Sequence, residues 1–303
     1  MTGLTSDYLP SGCVPWQYII QETESYVSIY KDLGYTTMAI HPYTSSFYCR
    51  KDAYPLIGID TLHFEDDLYA LSEELGLTIR GKQISDDTFA DAIACYMDQN
   101  GTQASQFVFG ISMENHQPYP DKFDSMQIQT ENPAFDADTA NAVANFTQGV
   151  SDASKCFAKL TEYVDSRQKD TILIWFGDHL PTLGANLAAY NQSGALGELN
   201  TANYDFLYST PFAIYSNFDL QNSTILHEGT GNTITSYNLM NAVAQLIGAP
   251  RTAYMNFLEA YSNTIPFYNI RLSLDLNEDA SYYANAHKLL TYDRIAGSHF
   301  SLP

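Results

Sequence analysis

Short apolar segments alternate with amphipathic stretches along this chain, and that alternation limits its fold more than any other feature. The apolar runs are 35–40, 107–113, 171–176 and 211–215. The stretch 136–167 repeats apolar residues at spacings of three and four, which predicts one long helix. Buried strands that alternate with helices indicate a mostly parallel sheet covered on both faces, and therefore an α/β fold.

Further helices are predicted on either side of these strands. They span about 17–31, 86–97, 235–247 and 252–261. Asp86 and Asp87 occupy the first turn of the second one, where the helix dipole favours negative charge. From Pro266 onward the pattern is mixed and predicts no particular element.

The chain is strongly acidic. It has 35 Asp and Glu against 14 Lys and Arg, a formal charge of -21. This charge argues against nucleic acid as a partner, because phosphate backbones are neutralised by Lys and Arg. An anion site must therefore concentrate positive charge locally, and a bound metal is one way to do so. No apolar run approaches the roughly 20 residues that span a bilayer, and the first residues do not form a secretory signal.

The four cysteines are widely spaced and contain no C-x-x-C pair that would indicate zinc or redox chemistry. We expect them to be mostly buried free thiols, although an oxidising compartment would allow one or two disulfides. The segment Cys13-Val14-Pro15-Trp16-Gln17 is not the Cys-x-Pro-x-Arg signature of sulfatases, because Gln17 stands where the Arg belongs.

Three predicted strands run into residues that can carry chemistry, namely His41, His116 and the pair Asp178-His179. In parallel α/β sheets, ligands bind beyond the carboxyl ends of the strands. Asp178 and His179 could both ligate a divalent metal, since Gly177 permits the backbone to turn there. The alternative is an Asp–His hydrogen bond that closes an ordinary strand–loop junction.

Three side chains, two of them at the strand ends named above, suit an anionic ligand. His116 could donate to a phosphoryl oxygen or protonate a leaving alkoxide. Arg50 offers a planar fork for a phosphate or carboxylate, and His41 offers a second donor. The alternatives are a loop histidine with a local partner and a surface arginine.

Several segments, in order, resemble the extracellular catalytic domain of lipoteichoic acid synthases and related sulfatase-like phosphoglycerol transferases. The matching segments are Gly34-Tyr35-Thr36-Thr37, Ser46-Phe47-Tyr48-Cys49-Arg50, Glu114-Asn115-His116-Gln117-Pro118-Tyr119, Phe176-Gly177-Asp178-His179-Leu180-Pro181, Thr210-Pro211-Phe212 and Leu290-Thr291-Tyr292-Asp293-Arg294-Ile295-Ala296-Gly297. The resemblance implies an alkaline-phosphatase/sulfatase-like three-layer sandwich. It covers 1–303 as one catalytic domain, with an α/β core over about 1–250 and a C-terminal subregion over about 251–303.

The resemblance also implies an activity, which is transfer of glycerophosphate from a phosphatidylglycerol-type lipid to a cell-surface glycan or polymer. Asp178 and His179 would be metal ligands, most often for Mn²⁺, with Mg²⁺ or Zn²⁺ as alternatives. His41, Tyr48, Arg50 and His116 would bind substrate, with Arg50 and His116 also catalytic. The enzyme would be anchored in the cell membrane and face outward.

One departure from the family lies at the start of the sequence. The family's nucleophilic Thr and metal-binding Glu cannot be placed, because Thr2 and Thr5 come too late in the pattern. We therefore expect a truncated domain that lacks its N-terminal strand, binds metal weakly and cannot complete the covalent step. Two other functions stay open, namely hydrolysis of phosphate or sulfate esters, and a non-catalytic module that binds an anionic glycolipid or a partner chain.

Overall fold

The computed structural model describes residues 1–5, 9, 14–196, 207–220, 231, 233–266 and 276–302. Its strands are β1 (Thr36–Ile40), β2 (Thr61–His63), β3 (Ile79–Arg80), β4 (Gln83–Ile84), β5 (Gln106–Gly110), β6 (Ile172–Phe176) and β7 (Phe212–Ser216). Its α-helices are α1 (Tyr26–Asp32), α2 (Arg50–Leu56), α3 (Glu65–Ala70), α4 (Ser72–Leu75), α5 (Asp86–Gln99), α6 (Ala137–Ser166), α7 (Ala188–Gln192), α8 (Leu239–Ile247), α9 (Ala253–Thr264) and α10 (Glu278–Ile295). Short 3-10 turns cover Pro15–Tyr18, Phe47–Cys49, Ala185–Leu187 and Ser236–Asn238.

The predicted parallel sheet is confirmed. Strand β1 lies between β2 and β5 and is parallel to both, with Met38 opposite Thr61 and Val108. Strands β6 and β7 form a separate antiparallel pair. Within the described ranges no pairing joins β5 to β6.

Apolar cores cover both faces of the parallel sheet. On one face Met38 and Ile40 pack with residues of α5 and α6, among them Phe89 and Leu160. Leu173 and Trp175 of β6 pack against the same core, so both sheets share one helical cover. On the other face Ala39 packs with Val27 of α1 and Tyr54 of α2. The result is the expected order of helix, sheet and helix.

Side-chain caps set the starts of the two helices that cover β5 and β6. Ser85 accepts the amide of Thr88 and begins α5, and Asp136 accepts the amide of Thr139 and begins α6. Each cap satisfies an amide that the first helical turn leaves without a partner. The predicted helix over 136–167 is thereby confirmed.

Three element predictions are wrong in detail. The helix predicted over 17–31 begins only at Tyr26, because the side chain of Ser25 accepts the Ser28 amide and caps α1 there. Strand β5 ends at Gly110 instead of continuing to Met113. Val150, an apolar residue within the three-and-four spacing that predicts the helix over 136–167, is 42% exposed instead of buried. The prediction of mostly buried thiols is also wrong for the described cysteines. Among them only Cys156 is buried, whereas Cys49 is exposed and Cys95 is partly exposed. Cys13 lies outside the described residues.

The C-terminal helices, which the sequence left partly unassigned, hold the first residues of the chain. Tyr254 of α9 and His287 of α10 both contact the carbonyl oxygen of Gly3, at 3.0 and 3.1 Å. Arg294 of α10 pairs with Glu24 ahead of α1, and both side chains are buried. No described helix has the length and apolar character needed to cross a membrane.

Candidate active site

A buried arginine held by a neutral histidine lies at the end of β1. His41 directly follows the strand and is 1% exposed. Its Nδ1 lies 3.0 Å from the carbonyl oxygen of Ile111, and its Nε2 lies 2.9 Å from Nη1 of Arg50. A carbonyl can only accept and a guanidinium can only donate, so Nδ1 carries the proton and Nε2 accepts. Burial lowers the pKa of His41 to about 4, which keeps the ring neutral.

This geometry adds a role for His41 that its sequence position did not indicate. Because both ring nitrogens are engaged, the histidine orients the guanidinium of Arg50. Its predicted contact with substrate stays a prediction.

Arg50 is fixed by two aromatic rings as well. Its guanidinium carbon lies 5.4 Å from the ring centroids of both Phe47 and Tyr48, within cation–π range. Tyr48 and Cys49 both adopt left-handed backbone conformations, with φ of 55° and 57°, which are strained for non-glycine residues. Nε of Arg50 is buried, and the side chains of Arg50 and Tyr54 lie within hydrogen-bonding reach of each other. A guanidinium that its neighbours hold in place in this way is suited to binding an anion through its planar fork.

His116 lies in the neighbouring loop, beyond β5. It is exposed, and its Nδ1 lies 2.8 Å from the carbonyl of Gln117, so Nδ1 donates and Nε2 is the nitrogen that can exchange a proton with a ligand. Positive charge on His116 contributes to lowering the pKa of His41, after burial and Arg50, so the two rings lie within electrostatic reach. The loops after β1 and β5 therefore bring His41, Arg50 and His116 to one edge of the sheet.

Asp178 and His179 follow β6 in a loop that touches the His116 loop. Thr182 donates to the side-chain oxygen of Gln117 at 3.2 Å, and the charge of Asp178, after burial, helps to raise the pKa of Tyr119. The six predicted site residues thus lie on neighbouring segments that follow β1, β5 and β6. The side chains of Asp178 and His179 are 79% and 70% exposed.

The Asp178–His179 pair suits a divalent metal in its donor chemistry. Nδ1 of His179 lies 3.1 Å from the Leu180 carbonyl, which leaves the Nε2 lone pair beside Oδ2 of Asp178 at 3.3 Å. Two ligands of one ion lie about 3.0–3.4 Å apart when bonds of about 2.1 Å meet at about 90–110°. In the described part of the chain, however, no three His, Cys, Asp or Glu side chains form a group that could hold a metal. The pair by itself therefore offers two donor side chains, fewer than a metal site needs.

Sequence reasoning missed a buried acidic cluster beneath the His116 loop. Glu114 and Asp86 are each 1% exposed, and Oε2 of Glu114 accepts the Asp86 amide at 2.7 Å. Arg80 lies between Glu114 and Asp152, at 3.5 and 2.6 Å. Burial is the main cause that raises the pKa of Glu114 to about 7 and that of Asp86 to about 6. Asp86 was predicted as a first-turn acid, and only its burial gives it this second role.

The raised pKa of Glu114 predicts a pH-dependent effect of Glu114→Gln. The folded protein holds the proton more tightly than the unfolded chain, whose ordinary pKa is 4.5. Stability from this group is therefore present below about pH 4.5 and lost as the pH rises through about 7. We expect the variant to gain unfolding free energy relative to wild type between pH 5 and pH 8, as measured by urea unfolding. The exposed Glu73→Gln is the matched control, and a difference that does not change with pH would contradict the prediction.

Three solved structures share this fold. The structure superposes on Streptococcus pyogenes phosphoglycerol transferase GacH, solved with sn-glycerol-1-phosphate, with a TM-score of 0.74 and 19% identity, over 99% of this chain and 73% of that one. For the lipoteichoic acid synthase LtaP from Listeria monocytogenes the TM-score is 0.57 and the identity 17%, over 82% and 58%. An alkaline phosphatase superfamily protein from Vibrio parahaemolyticus also matches, with a TM-score of 0.53 and 18% identity, over 84% of this chain and 54% of that one. These matches confirm the predicted fold.

Two Rhizobium meliloti (strain 1021) proteins are similar in sequence. One, named provisionally for cyclic beta-1,2-glucan modification, is 29% identical over 64% of this chain and 29% of its own length. The other, the capsular polysaccharide biosynthesis protein RkpI, is 26% identical over 50% of this chain and 25% of its own length. The matched part therefore spans less than a third of either relative. The sulfatase family model matches residues 1–249, although the Cys-x-Pro-x-Arg signature is missing, and the chain belongs to the sulfatase family.

Proposed function

We propose that this chain carries the phosphate-binding part of a phosphoglycerol transferase that modifies a cell-surface glycan. The observation that supports it best is Arg50, a buried guanidinium oriented by neutral His41 beside the exposed His116. A dianionic or monoanionic phosphoryl group would accept from that fork and offset the cost of its burial.

Arg50, His116 and Tyr48 have different roles in this function. Arg50 binds the phosphoryl oxygens and stabilises the charge that grows on them in the transition state. His116 carries a proton on Nε2 and donates it to a phosphoryl oxygen or to the leaving alkoxide. Tyr48, which lies over the guanidinium and is 37% exposed, forms a wall for the glycerol moiety.

Asp178 and His179 would hold a divalent metal together with ligands that the described residues do not provide. When bound, such an ion would neutralise charge on the phosphoryl oxygens. Mn²⁺ is our first choice, and Mg²⁺ and Zn²⁺ suit the same oxygen and imidazole donors to different degrees.

Donor and acceptor are proposed from the relatives. GacH is a phosphoglycerol transferase, and the two Rhizobium proteins are named for glucan modification and for capsular polysaccharide biosynthesis. A glycan acceptor and a phosphatidylglycerol-type donor, met at the outer face of the cell membrane, are consistent with those names.

One assay separates transfer from its alternatives. The full-length protein is incubated with Mn²⁺, phosphatidylglycerol labelled in its head group and a β-glucan acceptor. Label that enters the glycan supports the transferase, whereas label released as free glycerophosphate identifies a hydrolase. Binding of sn-glycerol-1-phosphate without turnover would identify a binding module and overturn the proposal.

Asp178→Asn tests the metal pair. Losing one ligand charge is expected to raise the Mn²⁺ concentration for half-maximal turnover by at least about 10–100-fold, the range found when only a hydrogen-bond partner of a metal ligand is removed. Calorimetric titration with Mn²⁺ measures the same loss without an activity assay. The exposed Asp170→Asn, at the opposite end of β6, is the control, and unchanged metal dependence in Asp178→Asn would exclude the pair as ligands.

A further inference from the structure

A buried lysine holds the backbone of the His116 loop from behind. Nζ of Lys122 donates to the carbonyl of His116 at 2.8 Å and to the carbonyl of Gly81 at 3.2 Å. Gly81 belongs to the turn between β3 and β4, so the ammonium joins the His116 loop to the β3–β4 hairpin. The carbonyl it binds is that of His116 itself, next to the side chain proposed to transfer the proton.

The lysine is fixed in turn by α6. The amides of Lys122 and Phe123 both donate to Oδ1 of Asn145, each at 3.0 Å. Lys122 is 6% exposed and Asn145 is 1% exposed, so water competes little for these contacts. A residue anchored at its backbone and bound at its side-chain end can transmit the rigidity of a long helix to the loop.

The surroundings of Lys122 balance its charge. Burial lowers its pKa, while the charges of Glu114 and Asp86 act in the opposite direction. The two backbone carbonyls that accept from Nζ and the charges of these carboxyls together offset part of the cost of burying the ammonium.

We propose that Lys122 is a positioning residue for His116, holding the carbonyl of that histidine so that its ring faces the phosphoryl group beside Arg50. The inference rests on the proposed function only in its kinetic part. A geometric displacement of about 1 Å at a catalytic group can lower a rate by about 100-fold.

A double-mutant cycle with the full-length protein tests this role. Lys122→Met is expected to lower kcat by about 10–100-fold, and to change KM by less than about threefold because ground-state binding through Arg50 is intact. In the His116→Ala background the same substitution should lower kcat by less than about twofold, since Lys122 acts through His116. An equal loss in both backgrounds would make Lys122 a structural residue only, and an unchanged kcat in Lys122→Met would overturn the proposal outright.

Lys155→Met is the matched control. Lys155 pairs with Asp152 at 2.9 Å, so its loss removes one positive charge from the same acidic cluster without touching the His116 loop. Its kcat should equal that of wild type. If Lys122→Met does not fold, the same double-mutant cycle with His116→Ala is measured with Lys122→Gln.

Amide hydrogen exchange gives a readout that needs no turnover. Residues 114–119 should exchange faster in the Lys122 variant than in wild type, while β1 should be unchanged. Unchanged exchange in the loop would overturn the proposal. If the wild-type protein transfers no glycerophosphate, the proposed function fails, and the exchange data still decide whether Lys122 holds the loop.

Discussion

Replacing Arg50 with alanine is expected to lower glycerophosphate transfer by about 10²–10³-fold, the loss typical of a preorganised group that stabilises transition-state charge. The guanidinium is held in advance by His41 and by the rings of Phe47 and Tyr48, so it need not reorganise during the reaction. Initial rates with head-group-labelled lipid, together with calorimetric binding of sn-glycerol-1-phosphate, measure the effect.

The neighbouring Lys51→Ala is the control for Arg50. Lys51 is exposed and belongs to the same helix, so its loss removes the same formal charge but leaves the guanidinium beside His41 in place. Arg50→Lys keeps the charge but lacks the planar fork, and we expect it to restore little. Full activity in Arg50→Ala would remove the anion site from the proposed mechanism.

Replacing Arg294 with methionine is expected to reduce the unfolding free energy by about 3–5 kcal/mol, because it leaves the carboxylate of Glu24 buried and unpaired. The Arg294 side chain is 0% exposed and that of Glu24 8%. Arg294 also donates to the carbonyl of Ser301 and lies 4.1 Å from the ring centroid of Tyr254. Urea unfolding, followed by circular dichroism, measures the loss.

Two further variants make the Arg294 prediction specific. Arg251 pairs with Glu259, and the two side chains are 25% and 29% exposed. Solvent screens that pair, so Arg251→Met should cost no more than about 1 kcal/mol. The double variant Glu24→Leu/Arg294→Met removes the unpaired charge and should recover much of the loss. Equal effects of Arg251→Met and Arg294→Met would contradict the account.

The principal strands and the long helix α6 were predictable because they depend on local periodicity, whereas the short strands β2, β3 and β4 and the short helices α2, α3, α4 and α7 were not predicted. The apolar runs that became β1, β6 and β7 and the spacing that became α6 are short-range signals. The start of α1 was misjudged because apolar and aromatic residues before Ser25 continue a helix-like pattern that the cap interrupts. The unassigned end of the chain became α10, whose alternation of Tyr, Ala and polar residues is weakly patterned.

The polar face of α6 shows why periodicity fails inside the molecule. Asn145 and Gln148 are at most 1% exposed, although both would be assigned to solvent by residue type. Asn145 accepts the amides of Lys122 and Phe123, and Gln148 accepts the amide of Gln127. Loop amides buried under the helix need acceptors, so polar side chains are buried to supply them.

The candidate site residues could therefore be identified from the sequence alone. His41, Arg50, His116 and the pair Asp178-His179 can be read from strand boundaries and motif order, because a strand end is a local event. Tertiary structure alone decided which of them meet and in what state. The neutral form of His41, its contact with Arg50 and the contact of Lys122 with Gly81 depend on burial and on partners as far as 70 residues away in the sequence. Charge state and hydrogen bonding follow from the surroundings of a group, and those surroundings exist only once the chain has folded.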